Sequence, residues 1–97
     1  MATYIVLGQF TEQGIRNVKD TTKRAQALND LAKKFGATVT ATYWTIGQYD
    51  VVAMIDAPDD VALTGLLLSL GVAGNVRTQT LRAFSADQVG QILGKMQ

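Results

Sequence analysis

Cysteine and histidine are both missing from this 97-residue chain, and proline occurs once. Without thiols there is no disulfide and no thiolate nucleophile. Without imidazoles the commonest general base is missing too, and together the two absences remove the ligands that build most zinc and copper sites. No metal and no cofactor is expected. The longest apolar runs, Ile5 to Leu7, Val51 to Ile55 and Leu66 to Leu68, fall far short of the roughly 20 residues of a membrane span. Met1 to Phe10 has neither a basic leader nor a long apolar stretch, so no signal peptide is expected and the cytoplasm is the expected location. Charge of one sign is lacking as well. Nine Lys and Arg against eight Asp and Glu leave a net charge of +1, with no basic stripe to draw the chain to nucleic acid or to a membrane surface.

What the chain does have is apolar surface. Residues of hydrophobic type make up 47% of it and charged residues 18%, a globular composition fitting one domain over residues 1–97. A domain of about 100 residues buries only about 60 to 65% of its unfolded surface. So apolar an inventory therefore points to association.

Thr3 to Phe10 is rich in β-branched and aromatic residues, with Tyr4, Val6 and Phe10 alternating with Ile5 and Leu7. That is a strand apolar on both faces. A polar connection, Thr11 to Asp20, leads to a helix over about 21–35, which carries Leu28, Leu31, Ala32 and Phe35 at helical spacing and ends at Gly36. Ala37 to Thr45 alternates again, placing Val39, Ala41 and Tyr43 opposite the threonines and Trp44. A turn at Ile46 to Tyr49 joins it to a second two-faced strand, Asp50 to Ile55. The acids of DAPDD then open a helix with Leu63, Leu66, Leu67 and Leu70, and Val76 to Phe84 forms a last strand with Arg77 and Gln79 opposite Thr78, Thr80 and Arg82. Ser85 and Gln88 frame a capping box for a terminal helix over about 85–96.

The order β-α-β-β-α-β plus a terminal helix predicts an α+β, ferredoxin-like fold: an antiparallel four-stranded sheet with two helices on one face. The two strands that this topology makes central are the two that are apolar on both faces. The bare face, carrying either Tyr4, Val6 and Phe10 or Ile5 and Leu7, needs a cover. A second copy of the chain is the expected one, with Tyr4, Val6, Phe10, Val52 and Met54 as interface candidates. A terminal helix folded over the bare face, giving a monomer, is the alternative.

Candidates for chemistry are few. Asp59 and Asp60 suit a helix start. Asp50, at the mouth of a buried strand, is a weak candidate for a catalytic base. The glycines lack the spacing of a phosphate-binding loop. Arg16, Lys19, Lys23 and Arg24 gather positive charge between the first strand and the first helix, the best candidate for capturing an anion. Tyr43, Trp44 and Tyr49 gather around the predicted hairpin, as interface anchors or as one wall of a pocket. Tyr43, Trp44, Tyr49, Asp50, Arg16 and Lys19 are accordingly the ligand-binding candidates.

The segments GQYD with VVAMIDAPDD, GNVRTQTLRAF, and the opening YIVLGQFTEQGIRNVKDTTKRAQ resemble the bacterial GYD domain family over nearly the whole chain. Thr22 stands where relatives often carry proline. The resemblance implies a ferredoxin-like domain of the dimeric α+β barrel kind with no assigned reaction, and it carries the motif onto Gly47, Tyr49 and Asp50. Those residues read physically as a hairpin device: Gly47 bends the chain, Tyr49 anchors it on apolar surface, and Asp50 accepts from free backbone amides. The expected function is a homo-oligomeric small-molecule-binding or scaffold domain, taking a small apolar or anionic ligand. The rival is a cofactor-independent enzyme, monooxygenase- or isomerase-like, acting on a small aromatic substrate.

Overall fold

The computed structural model describes residues 1–96. Strands β1 (Ala2–Phe10), β2 (Thr38–Trp44), β3 (Val51–Ala57) and β4 (Val76–Ala83) form one sheet in the order β2-β3-β1-β4. Every neighbouring pair is antiparallel. The two strands apolar on both faces are therefore the central pair. Helices α2 (Thr21–Lys34) and α3 (Asp60–Val72) supply the core residues Ala32, Leu63 and Leu66.

The core lies between that helical layer and one side of the sheet, and it joins Tyr4 and Val6 of β1 to Ala53, Ile55 and Ala57 of β3. Ile55 and Leu66 are wholly excluded from solvent, each contributing on the order of 1.5–3 kcal/mol. This corrects the placement of three interface candidates. Tyr4 and Val6 are 3% and 5% exposed beneath the helices, and Phe10, further along the same side, is half-buried. The bare side is carried by Ile5 and Leu7, which lie opposite Met54 and Val52 in the register. The other two candidates, Val52 and Met54, are on it.

Thr11 to Asp20 is more ordered than its polar composition suggests. The Thr11 hydroxyl accepts from the Gly14 amide at 3.0 Å and starts a short helix, α1 (Glu12–Arg16), followed by a single 3-10 turn. Gly14 is buried there, and a Cβ on it would come within 2.0 Å of the Asn75 carbonyl oxygen. At the other end of the sheet, the Tyr4 hydroxyl donates to Asp60 in the first turn of α3, and Asp59 caps that helix through the Ala62 amide at 2.9 Å. The Asp60 carboxylate, with burial second, holds the Tyr4 phenol above its ordinary pKa.

Helix α4 (Ala86–Gly94) starts with the anticipated capping box of Ser85 and Gln88. None of its residues is buried, and Val89, Ile92 and Leu93 remain 40 to 58% exposed. It does not cover the bare face of the sheet, where Met54, Tyr43 and Leu81 stay 38%, 61% and 43% exposed.

Candidate functional site

Three features meet at the end of the sheet where β1 and β2 finish and β3 and β4 begin. The first is the Gly47-Tyr49-Asp50 turn. Strand β1 outruns its β3 partner, whose pairing stops at Gly8 and Val51, so the Phe10 amide faces an empty position. Asp50 fills it: its Oδ2 accepts from the Phe10 amide at 2.8 Å, while its own amide donates to the Gly8 carbonyl at 2.8 Å. The turn is closed by the Thr45 amide donating to the Asp50 carbonyl at 2.8 Å and the Thr45 hydroxyl donating to the Tyr49 carbonyl at 2.6 Å. Gly47 has φ +128°, a left-handed conformation that disfavours other residues. The Tyr49 hydroxyl donates to Gln79 Oε1 of β4 at 2.6 Å, reaching across β1.

The second feature is the bare sheet face. Register places Ile5 and Leu7, Val52 and Met54, Ala41 and Tyr43, and Leu81 on one side. The grouping of β2 departs from strict alternation, because a bulge between Val39 and Ala41 shifts the register by one residue. Val39 turns to the core while Ala41 and Tyr43 turn outward. The same shift brings Trp44 to the helical side, opposite Val51.

The third feature is a cavity of about 210 Å³ between the sheet and helices α2 and α3. Its walls include Val6, Phe10, Leu28, Val51 and Leu70. Small residues form part of its lining: Gly8 in β1, Ala25 in α2, Ala53 in β3 and Ala73 after α3. Trp44, Thr21 and Arg24 are also among the lining residues, and the Trp44 indole donates to the Thr21 hydroxyl at 3.0 Å. The half-buried Arg24 donates to the Asn17 carbonyl at 2.7 Å and the Gly14 carbonyl at 3.2 Å, with its guanidinium carbon 5.8 Å from the centre of the Phe10 ring.

The anticipated ligand residues are thereby divided. Trp44 lines the cavity; Tyr43 is on the opposite face of the sheet. Tyr49 and Asp50 do not line it, and Asp50 acts instead on the backbone of Gly8 and Phe10, two residues of its wall. Arg16 pairs with Glu12 on the exposed side of α1, and Lys19 sits on the exposed 3-10 turn, so neither reaches the cavity. Of the basic cluster, Arg24 alone does. Among the described residues no group of three or more acidic side chains is placed to hold a metal ion, and no helix is long and apolar enough to cross a membrane.

The chain is similar to known proteins in family, in sequence and in fold. The GYD domain family model matches residues 4–93. A Thermus thermophilus protein named "Glutamine synthetase and cystathionine beta-lyase binding protein" is 33% identical over 94 residues, spanning 95% of this chain and 99% of the relative. The crystal structure of TTHA0845, also from Thermus thermophilus, is similar with a TM-score of 0.56 at 30% identity, covering 89% of this chain and 96% of that one.

Proposed function

This chain belongs to the GYD domain family, and from that premise we propose that it is a cytoplasmic binding protein: a ferredoxin-like subunit that dimerises through its bare sheet face as an α+β barrel and docks on metabolic enzymes. The observation that carries the dimer is the face itself. Ile5, Leu7, Val52, Met54, Tyr43 and Leu81 are covered by neither helical layer nor α4, and monomeric proteins rarely leave so contiguous an apolar patch to water. Helix α3 provides a second surface. It is apolar around its circumference, and Val61, Leu68 and Val72 are 81%, 68% and 88% exposed. Their spacing puts them within about 40° of one another on the helix wheel, a stripe suited to a protein partner. The Thermus relative's name supplies the partner classes: a glutamine synthetase and a cystathionine β-lyase.

Light scattering on the eluting peak of a sizing column, at micromolar protomer, tests the assembly. A dimer is expected, and Leu7→Lys is expected to yield a folded monomer. A wild-type monomer refutes the sheet-face reading. Surface plasmon resonance against the two enzymes of the same host tests the docking, with Leu68→Glu expected to abolish it. The rival reading, a cofactor-independent enzyme acting on a small aromatic substrate, draws support from the cavity beside Trp44. Against it, its base candidate Asp50 lies outside that cavity and already holds the Phe10 amide.

A further inference from the structure

We propose that the cavity between the sheet and helices α2 and α3 is a binding site for a small organic carboxylate, whose apolar body fills it and whose anionic head meets Arg24. The site is separate from the bare face and the α3 stripe, so it stands or falls independently of them.

The first observation is size. A cavity of about 210 Å³ exceeds the roughly 150 Å³ apolar void that holds a benzene molecule, so one ring with a short substituent fits. The walls supply dispersion contacts but little hydrogen bonding: Val6, Phe10, Leu28, Val51, Ala53 and Leu70 are apolar. A ligand with an apolar body is favoured there over a wholly polar one.

The second observation is charge. Arg24 lines the cavity, is half-buried, and has no carboxylate partner among the described residues, whose one ion pair joins Arg16 to Glu12. Its two hydrogen bonds go to the Gly14 and Asn17 carbonyls, which fix the guanidinium without neutralising it. Three of its five N–H groups remain for a ligand. A half-buried cation held this rigidly at an apolar cavity is matched by an anionic head, and a planar fork suits a carboxylate. Thr21, one turn before Arg24, accepts from the Trp44 indole and keeps its own hydroxyl proton to donate.

Trp44 is the chain's single tryptophan, so its fluorescence reports on the site directly. Phenylacetate is the probe, its neutral isostere phenylacetamide the control, and isothermal titration calorimetry the second readout. Wild type is expected to bind phenylacetate saturably, at least about tenfold more tightly than phenylacetamide. Arg24→Gln is expected to erase that preference while leaving the weaker amide binding in place. Ala25→Phe, which fills the cavity from α2, is expected to abolish both. Should Arg24→Gln fail to fold, Arg24→Lys serves: it keeps the charge, loses the fork, and is expected to retain only part of the preference. The proposal is overturned if neither probe binds up to ~10 mM, if acid and amide bind alike, or if Ala25→Phe binds as wild type does.

Discussion

Replacing Asp50 separates a hairpin role from a pocket role. Its Oδ2 accepts from the Phe10 amide at 2.8 Å, at a point before β3 begins, where that strand offers no carbonyl. Asp50→Ala strands that amide beside a half-buried ring. An unsatisfied buried donor costs roughly 1–3 kcal/mol, and partial access of water puts this one near ~2 kcal/mol. For a domain of this length each kcal/mol moves the melting temperature by about 4–8 °C, so a drop of ~8–16 °C is expected. Asp50→Asn keeps an acceptor but loses the charge assistance, about 1 kcal/mol, and should fall by ~4–8 °C. Thermal melts followed by far-ultraviolet circular dichroism decide the matter, at one fixed protomer concentration because association contributes to the apparent stability. A melting temperature for Asp50→Ala within ~2 °C of wild type would refute the reasoning.

Gly14→Ala places a Cβ 2.0 Å from the Asn75 carbonyl oxygen, a backbone atom that cannot swing away; a loss of at least ~2 kcal/mol is expected in urea unfolding, and a wild-type midpoint would contradict the packing described. Tyr4→Phe removes the hydrogen bond to Asp60. Because the folded protein holds the Tyr4 phenol above its ordinary value of 10.0, the bond's contribution is complete below that pH and is lost as pH rises through the raised folded value. The variant should therefore be less stable than wild type at pH 7 and converge with it in strong alkali; a gap that does not narrow on the alkaline side counts against the assignment.

The two-faced strands β1 and β3 are legible in the chain because alternation needs no tertiary information: Tyr4 and Val6 must face away from Ile5 and Leu7 whatever the fold. Which pair meets the helices is a different kind of question. Both sets are apolar, and the choice depends on how the helices close over the sheet. Helix α1 is hidden for the opposite reason. Its five residues carry no apolar stripe, and its position depends on Thr11 capping Gly14 and on contact with Asn75 in a distant turn.

The bulge in β2 shows how far a local irregularity reaches. Strict alternation puts Val39 and Tyr43 on one side and Trp44 on the other, and each pairing is reasonable in isolation. One extra residue between Val39 and Ala41 lets Val39 join the core while Tyr43 stays outside, and it sends Trp44 to the helical side. The two aromatics thus serve different surfaces: Tyr43 the bare face, Trp44 the cavity. The cavity is also something the pattern of large residues cannot display, since small side chains form part of its lining. Gly8, Ala25, Ala53 and Ala73 are ordinary one by one, and only the fold brings them together across four parts of the chain beside Arg24. The basic cluster near the start of α2 carries four charges in the sequence, yet burial distinguishes one of them. Arg24 is held by two backbone carbonyls against Phe10, whereas Arg16 is paired in solvent. The family motif completes this end of the molecule from outside the cavity: Asp50 binds the backbone of Gly8 and Phe10 and so fixes the wall that Arg24 faces.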